Sequence, residues 1–426
     1  MKIAVEKSRL KGTVTMPASK SHTIRAVAIA SLAVGESLIH NPLDSSDAQA
    51  AVACYRALGA AIDTADPELW RVTGTGGQVT APAGIIDVGN SGTTLRVAMG
   101  SAALAGPGQT TTFTGDEQIQ ARPVGPLMDS LNDLGAKAVS LKSNGKVPLE
   151  ITGKLAGGKT AIAATTSQYV SSLLLCAPLA ATDTEIDVTL LNEPGYVQMT
   201  LDWLDKQQIA YENQQMRRFT IKGNQSYRAY EAAVPADFSS ATFFLCAAAL
   251  VAEEVTLLGL DFADSQPDKA VVDYLKAMGA DISVGANSVT VRAASLEGAE
   301  LDMNKTPDAL PAMAVTAAFA EGTTKLLNVP QARSKETDRI NALACELKKM
   351  AVDVEELPDG LIIRHSRPGP AELHGWADHR IVMALSLAAM AIEGQCTIDT
   401  AEAISVTFPD YVELMKSIGA KMKLVD

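Results

Sequence analysis

The sequence has few aromatic residues, few cysteines and no long hydrophobic run. Only 4% of its 426 residues are aromatic although 47% are hydrophobic, which predicts a core of small, closely packed aliphatic side chains and excludes a disordered chain. At about 100–200 residues per domain, the length predicts two or three domains. No apolar stretch reaches the roughly 18–20 residues of a membrane span. The first residues, MKIAVEKSRLKG, lack the apolar core of a signal peptide, so we expect a soluble cytoplasmic protein.

The five cysteines are an odd number, lie far apart and include no CxxC pair. They are therefore predicted to be small core residues in a reducing compartment, with no disulfide framework and no structural zinc. The sequence also lacks a Walker A motif, a dinucleotide-binding GxGxxG motif and a metal-spaced His/Cys cluster. We expect acid–base chemistry by protein side chains, without a cofactor or a metal.

Positive charge is the minority charge, with 36 Lys and Arg against 49 Asp and Glu and a net charge of −13. Because nucleic-acid binding needs a basic surface, nucleic acid is not the expected partner.

A short segment with the pattern Leu/Met-x-x-apolar-Gly-Ala recurs along the whole chain, twice in degenerate form. Its glycine, or the residue in that place, is Gly59, Gly135, Gln208, Gly279, Ala351 and Gly419, at spacings of 76, 73, 71, 72 and 68 residues. Self-similarity at a fixed period indicates repeated structural units. The chain therefore consists of six repeats.

Each repeat also contains a run that is apolar nearly all round, which predicts a buried helix. These runs are 26–34, 95–105, 170–181, 241–252, 309–320 and 381–392, and a β-rich stretch, an amphipathic helix and further strands follow each one. The predicted fold class is therefore α/β. One repeat cannot cover its own buried helix, so at least three must pack together. The period leaves open whether the six form one ring or two lobes of three.

Polar and charged segments adjoin the buried helices. Residues 17–25, 89–96 and 166–168 precede the first three, and 333–339 and 376–380 lie at strand–helix junctions of the second half. Helix N-termini with Ser, Thr, Lys and Arg nearby suit a small ligand carrying several phosphates or carboxylates. Simple N-capping is the alternative for each segment alone, and for Asp237 and Asp308 at later helix starts.

At these residues the chain resembles the 5-enolpyruvylshikimate-3-phosphate synthases, the EPSP synthases, over essentially its full length. The resemblance lies in SKS at 19–21, GNSGT at 89–93, RP at 122–123, SQ at 167–168, KETDR at 335–339, DHR at 378–380 and FPDY at 408–411. It implies a two-lobed inverse α/β barrel with three repeats in each lobe. Residues 1–18 and 235–426 are then expected to form one lobe and residues 19–234 the other, with the active site in the cleft between them.

The resemblance also implies the reaction: transfer of the enolpyruvyl group of phosphoenolpyruvate to shikimate 3-phosphate, by addition–elimination with lobe closure. This is a step of the shikimate pathway of aromatic amino-acid biosynthesis and the target of glyphosate in the family. The implied catalytic residues are Asp308, Glu336 and Lys20. The implied shikimate 3-phosphate ligands are Lys20, Ser21, Arg25, Thr166, Ser167, Gln168, Tyr196, Asp308, Gln331 and Lys335. Those implied for phosphoenolpyruvate are Lys20, Asn90, Gly92, Arg122, Gln168, Arg339 and Arg380. No cofactor, metal or partner protein is implied, and we expect a monomer.

The chain departs from the family pattern at four places. Ala18 replaces a usual Gly, Gly195 is inserted before Tyr196, and Gln331 stands where some members have Asn. Val406 stands where many members have a Lys that contacts phosphoenolpyruvate, so one anion contact is missing.

Two other functions remain open at this stage. The sister family, the UDP-N-acetylglucosamine enolpyruvyl transferases, shares an Ala-Arg-Pro-Val string, but it has a reactive Cys where this chain has Glu117 and an Asn where it has Ser21. A non-catalytic repeat scaffold is the second alternative, and it would be expected to lose several charged residues that are present here.

Overall fold

The fold is described by a computed structural model that covers residues 1–425. Its α-helices are α1 (Lys20–Leu32), α2 (Ser46–Ala57), α3 (Gly92–Ala102), α4 (Glu117–Ala121), α5 (Gly125–Asp133), α6 (Ser167–Cys176), α7 (Pro194–Lys206), α8 (Phe238–Val251), α9 (Ala270–Ala277), α10 (Leu310–Phe319), α11 (Arg339–Lys349), α12 (His379–Ala391) and α13 (Tyr411–Ser417). Short 3₁₀ helices span Ala177–Leu179, Pro267–Lys269, Pro307–Ala309, Pro330–Ser334 and Ala401–Val406.

The strands alternate with these helices along the chain. They are β1 (Lys2–Glu6), β2 (Leu10–Thr15), β3 (Glu36–His40), β4 (Ala61–Asp66), β5 (Leu69–Thr73), β6 (Ile86–Asp87), β7 (Thr110–Thr114), β8 (Lys137–Ser140), β9 (Leu149–Thr152), β10 (Gly158–Ala164), β11 (Thr184–Leu191), β12 (Tyr211–Gln214), β13 (Arg218–Ile221), β14 (Glu231–Ala233), β15 (Ala252–Leu258), β16 (Asp281–Val284), β17 (Ser288–Arg292), β18 (Glu300–Asp302), β19 (Thr323–Leu327), β20 (Asp353–Leu357), β21 (Gly360–Arg364), β22 (Glu372–Leu373), β23 (Gln395–Ile398) and β24 (Lys421–Val425).

The strands form sheets of one repeated design. Each sheet has four strands, in the orders β14-β3-β5-β4, β6-β7-β9-β8, β10-β11-β13-β12, β2-β15-β17-β16, β18-β19-β21-β20 and β22-β23-β1-β24. In each, the first pair is parallel and the other two pairs are antiparallel. A parallel pair needs a crossover, and in four of these sheets one buried helix, α3, α6, α10 or α12, lies between the paired strands in sequence. In the other two sheets, most of unit 2 lies in sequence between the paired strands, which are β3 and β14 or β2 and β15. The six-repeat prediction is therefore visible as six equivalent sheets.

The chain divides into two compact units. Unit 2 is Ala18–Val234, and unit 1 comprises Met1–Pro17 together with the chain from Pro235 onward. The N-terminal segment is needed by unit 1 because β1 lies between β23 and β24 and β2 pairs with β15. Ala18 lies in unit 2, one residue before the expected start of that lobe.

Each unit has three buried helices at its centre and its sheets outside them. In unit 2, α3 contacts both α1 and α6, and in unit 1, α8, α10 and α12 contact one another. Nearly every side chain of these helices is buried, as the all-apolar runs predicted. Helices inside and sheets outside are the arrangement of an inverse α/β barrel. The first three helices begin earlier than their apolar runs, so that Lys20, Gly92 and Ser167 are their first residues.

The recurring Gly position has a backbone reason. The residue there has a positive φ in all six repeats: 108° at Gly59, 95° at Gly135, 57° at Gln208, 89° at Gly279, 66° at Ala351 and 105° at Gly419. It ends an amphipathic helix in the left-handed conformation, which glycine adopts without a Cβ penalty. In the two degenerate repeats, Gln208 and Ala351 adopt the same left-handed conformation, which costs about 1–2 kcal/mol of folding free energy for each residue.

Two further properties bear on function. Within residues 1–425, no helix is long and apolar enough to cross a membrane. Cys54, Cys176, Cys246 and Cys396 are buried thiols, whereas Cys345 is exposed.

Candidate active site

The N-terminus of α1 contains a lysine paired with an aspartate that the sequence motifs did not indicate. Ser19 is the N-cap residue, and Lys20 Nζ donates to Asp47 Oδ2 at 2.8 Å. Asp47 is 4% exposed and lies in the first turn of α2. Acidic residues are common in the first turn of a helix, so its position in the sequence does not indicate a role in a site. Thr94 of α3 donates its hydroxyl to the Asp47 carbonyl at 3.4 Å, so Asp47 joins the starts of α1 and α3.

Arg25 lies one turn further along α1 and is almost completely buried. It donates hydrogen bonds of 2.9 Å to the Ser21 carbonyl, the Tyr196 carbonyl and the Thr200 hydroxyl. Burial lowers the pKa of Arg25 to about 10, so the guanidinium stays charged at neutral pH. Arg25 therefore connects α1 with α7 and places a buried positive charge next to Ser21.

The N-terminus of α3 lies against two guanidinium groups. Ser91 is the N-cap, and Gly92 follows as the first helical residue. A Cβ atom at Gly92 would lie 2.7 Å from Arg122 Nη1 and closer still to Arg96 Nη1. Both arginines are less than one tenth exposed. Glycine is therefore required for this close approach. Arg96, the last residue of the 89–96 segment, joins Arg122 here although it was not among the implied ligands.

The residue before this N-cap is held in place by side chains from the next segment. Asn90 donates its amide to Asp116 Oδ2 at 2.6 Å and to Gln118 Oε1 at 2.5 Å. Asp116 also caps α4 through its other oxygen, which accepts from the Ile119 amide at 2.9 Å. These contacts fix the turn that precedes α3.

The N-terminus of α6 carries the third polar segment. Thr166 is the N-cap, and Gln168 donates its amide to the Thr93 hydroxyl at 3.0 Å, which joins α6 to α3. The Glu193 carboxylate accepts hydrogen bonds from the hydroxyl and the backbone N–H of Ser167 at 2.7 and 3.2 Å. The predicted residues at the starts of α1, α3 and α6 thus lie in one continuous set of contacts within unit 2.

Unit 1 brings a second set of predicted residues together around Asp308. This residue lies in the 3₁₀ helix Pro307–Ala309, and its side chain is 22% exposed. Its carboxylate lies 2.8 Å from Arg339 Nη1, 3.2 Å from Arg380 Nη2 and 3.8 Å from Lys335 Nζ. One carboxylate therefore faces three cations.

Arg339 is the centre of this group and is 1% exposed. Besides Asp308, it contacts Glu336 through Nη2 and Asp378 through Nε at 2.8 Å and Nη2 at 3.3 Å. Asp378 is completely buried and caps α12 by accepting from the Arg380 amide at 2.8 Å. Three carboxylates and three cations thus form a charge-balanced network.

The electrostatics of the network follow from burial and charge together. Burial opposes ionisation of Asp308, but Arg380, Lys335 and Arg339 outweigh it and hold the pKa of Asp308 well below its ordinary value. Burial likewise opposes the charge on Arg339, and Asp378, Glu336 and Asp308 overcome it, so that the pKa of Arg339 is raised. Both groups are ionised at neutral pH.

Three other predicted or discussed positions have different surroundings. Tyr196 is 9% exposed at the start of α7 and contributes its carbonyl to Arg25. Gln331 is 4% exposed and donates to the Asn304 carbonyl at 3.0 Å. Val406 ends the 3₁₀ helix Ala401–Val406 and is half-buried. Among residues 1–425, no group of His, Cys, Asp and Glu has the arrangement of a metal site.

Comparison with known proteins gives the class of fold first. An EPSP synthase from Acinetobacter baumannii matches with a TM-score of 0.84 at 26% identity, covering 100% of both chains. The enolpyruvyl transferase NikO from Streptomyces tendae matches with a TM-score of 0.77 at 20% identity, covering 99% of this chain and 98% of its own. The chain thus has the fold of the enolpyruvyl transferases, and the expected fold class is confirmed.

Sequence comparison gives the family. The family described as EPSP synthase (3-phosphoshikimate 1-carboxyvinyltransferase) matches residues 5–415. Proteins named 3-phosphoshikimate 1-carboxyvinyltransferase from Acetivibrio thermocellus and Ruminiclostridium cellulolyticum are 53% and 49% identical to this chain, and each alignment covers at least 99% of both chains. The chain belongs to the EPSP synthase family, as the sequence motifs indicated.

Proposed function

We propose that the chain transfers the enolpyruvyl group of phosphoenolpyruvate to the 5-hydroxyl of shikimate 3-phosphate and releases inorganic phosphate. Family membership supports this reaction, and the observation that carries it is the network in which Asp308 faces Lys335, Arg339 and Arg380. Both substrates carry a phosphate and a carboxylate, and charge-assisted hydrogen bonds to such groups contribute about 1.5–3 kcal/mol each.

We assign the phosphate of shikimate 3-phosphate to the start of α6. Thr166 and Ser167 offer hydroxyl and backbone donors where the helix dipole favours an anion, and Gln168 adds an amide. The other groups proposed for this substrate are Lys20, Ser21, Arg25, Tyr196, Asp308, Gln331 and Lys335.

We assign phosphoenolpyruvate to the guanidinium groups and the start of α3. Arg122 approaches Gly92 closely because that residue has no side chain, so a guanidinium group lies directly against the start of α3. Lys20, Asn90, Gln168, Arg339 and Arg380 complete the proposed set. Val406 supplies no charge, and we propose Arg96, whose guanidinium lies beside Gly92, as a further cation of this set.

The proposed reaction has two steps. In the addition, the 5-hydroxyl oxygen bonds to C2 of the enolpyruvyl group, the hydroxyl proton passes to Asp308, and C3 takes a proton from Lys20 by way of Glu336. In the elimination, the C2–O bond to phosphate breaks, C3 returns its proton to Lys20 by the same route, the proton on Asp308 leaves with the phosphate, and the enol ether forms. Positioned acid–base groups contribute about 10²–10⁴ in rate each, and the arginines stabilise the departing phosphate.

The low pKa of Asp308 has a consequence for this mechanism. A carboxylate so strongly stabilised by cations is a weak base. We propose that the substrate anions take over part of the interaction with Lys335 and Arg380, which raises the pKa of Asp308 toward that of a useful proton acceptor. Closure of the two units over the substrates, a monomeric state and a cytoplasmic location are parts of the same proposal.

The deciding experiment measures phosphate release from phosphoenolpyruvate with and without shikimate 3-phosphate, and with UDP-N-acetylglucosamine as the other acceptor. We expect release only with shikimate 3-phosphate. Asp308→Asn is expected to lower kcat by at least about 10²-fold. The control Asp353→Asn, which alters an exposed carboxylate paired with Arg364, is expected to retain full activity. Release with the nucleotide sugar, or none with a folded protein, would exclude the proposal.

A further inference from the structure

Glu193 holds the N-terminus of α6 in an unusual way. One oxygen of its carboxylate, Oε2, accepts from the Ser167 hydroxyl at 2.7 Å, the Ser167 backbone N–H at 3.2 Å and the Thr166 hydroxyl at 3.3 Å. The residue is only 2% exposed. A buried anion therefore takes three converging donors at the positive end of a ten-residue helix.

These donors are the ones that the proposed function assigns to the phosphate of shikimate 3-phosphate. A phosphate oxygen at this position would need the same hydroxyl and N–H groups of Thr166 and Ser167. It would also lie within a few ångströms of the Glu193 carboxylate, and two buried anions at such a distance repel each other strongly. The carboxylate and the phosphate therefore exclude one another at this place.

The backbone conformation at Glu193 does not by itself explain why a glutamate is present at this position. Its φ is 58°, and the turns after the equivalent strands β3 and β19 have Asn41 and Asn328 at φ values of 48° and 58°. Asparagine tolerates this left-handed conformation better than glutamate does. The contact of its carboxylate with α6 is what distinguishes Glu193 from these two residues.

The backbone of this turn is also firmly held. The Glu193 carbonyl accepts from the Tyr196 amide at 3.1 Å, and Asn192 donates its backbone N–H to the Ala164 carbonyl at 3.1 Å and its side chain to the Thr165 carbonyl at 3.2 Å. A change at this place is therefore a rotation of the Glu193 side chain and not a movement of the turn.

We propose that Glu193 is an internal competitor for the substrate phosphate: its carboxylate occupies the phosphate position at the start of α6 and rotates away when shikimate 3-phosphate binds. This inference rests on the proposed function. The competition weakens the binding of every phosphate ligand at this place, including the 3-phosphate that the product retains. Glu193 thus determines substrate affinity and favours product release.

The test compares wild-type protein with Glu193→Gln and Glu193→Ser by isothermal titration calorimetry, using shikimate 3-phosphate and inorganic phosphate as ligands. Both substitutions remove the charge, and glutamine keeps the size of the side chain. We expect the Kd for each ligand to fall at least about tenfold, equivalent to about 1.4 kcal/mol, and the KM for shikimate 3-phosphate to fall with it. The matched control, Glu212→Gln, changes an exposed carboxylate of β12 in the same unit and is expected to leave both Kd values unchanged.

An unchanged or higher Kd in the folded Glu193 variants would overturn the proposal, because a merely structural contact gives no gain in affinity when it is removed. If the variants do not fold, a crystal structure of the wild type with shikimate 3-phosphate decides. Glu193 withdrawn from Ser167, with phosphate in its place, supports the proposal, and Glu193 still bonded to Ser167 refutes it. Failure of the reaction assay would remove the proposed function alone, because the titration with inorganic phosphate tests Glu193 independently.

Discussion

Replacing Arg339 by lysine tests whether the buried charge network stabilises unit 1. The Arg339 side chain is 1% exposed and makes four hydrogen bonds to three carboxylates, those of Asp308, Glu336 and Asp378. A lysine has one compact ammonium group in place of the planar fork of a guanidinium. It cannot reach all three carboxylates from the same helical position.

The size of the effect follows from the bonds that are lost. Losing at least two charge-assisted hydrogen bonds at about 1.5–3 kcal/mol each lowers the free energy of unfolding by about 3–6 kcal/mol. Removing one partner of a buried ion pair lowers the free energy of unfolding by a similar amount, about 3–5 kcal/mol. Since 1 kcal/mol shifts the Tm of a unit of this size by about 2–4 °C, we expect Arg339→Lys to lower the Tm by about 6–24 °C.

Differential scanning calorimetry and urea unfolding measure this change, with Arg364→Lys as the control. Arg364 also faces two carboxylates, Asp353 at 3.2 Å and Glu355 at 3.0 Å, but on the exposed surface of β21. Surface pairs contribute little, so the control is expected to lose far less stability. Equal losses in the two variants, or a wild-type Tm for Arg339→Lys, would refute the reasoning that burial makes this network important for stability.

Three further predictions concern the proposed site. Lys20→Met is expected to lower kcat/KM by about 10²–10⁴-fold. The single variant also leaves the buried Asp47 carboxylate without its lysine, so adding Asp47→Asn is expected to recover stability, measured as Tm, but not activity. Burial opposes ionisation of Asp308, yet nearby cations lower its pKa in the folded protein. Ionised Asp308 therefore stabilises the fold above about pH 4, which is the pKa of Asp in an unfolded chain, and this stabilisation is lost as the pH falls below that value. Asp308→Asn is therefore expected to give a shallower fall in Tm between pH 6 and pH 3, roughly, than the wild type, and an equal slope would contradict this. Gly92→Ala places a methyl group 2.7 Å from Arg122 Nη1, so we expect a higher KM for phosphoenolpyruvate with little change in the KM for shikimate 3-phosphate, which steady-state kinetics would show.

The sequence by itself determined the repeated architecture of this protein. Buried helices are recognisable because they are apolar all round, and the turn that ends each amphipathic helix is recognisable because it needs a left-handed residue such as Gly59 or Gly279. Both signals are local, and they recur six times. The motif segments, such as that around Lys335, were equally visible because their residues are adjacent in the chain.

Helix starts were less accurately predicted, for a physical reason. The apolar run marks only the part of a helix that packs on apolar neighbours, whereas the first turns of α1, α3 and α6 are polar. Arg25 is polar in sequence and yet 2% exposed in the structure. Its hydrogen bonds to Tyr196 and Thr200 of a later helix permit this burial, and no pattern within α1 indicates them.

Only the tertiary structure decided the pairing of charges. Asp47 lies 27 residues from Lys20, Glu193 lies 26 residues from Ser167, and Asp378 lies 39 residues from Arg339. Asp47 and Glu193 look in sequence like a helix cap or a surface charge, and Asp378 belongs to the DHR motif. None of the three reveals its partner, because the partner belongs to a different helix. Such pairs form when a buried helix packs against an amphipathic helix and their polar N-termini come together, and this packing depends on contacts between residues far apart in the chain.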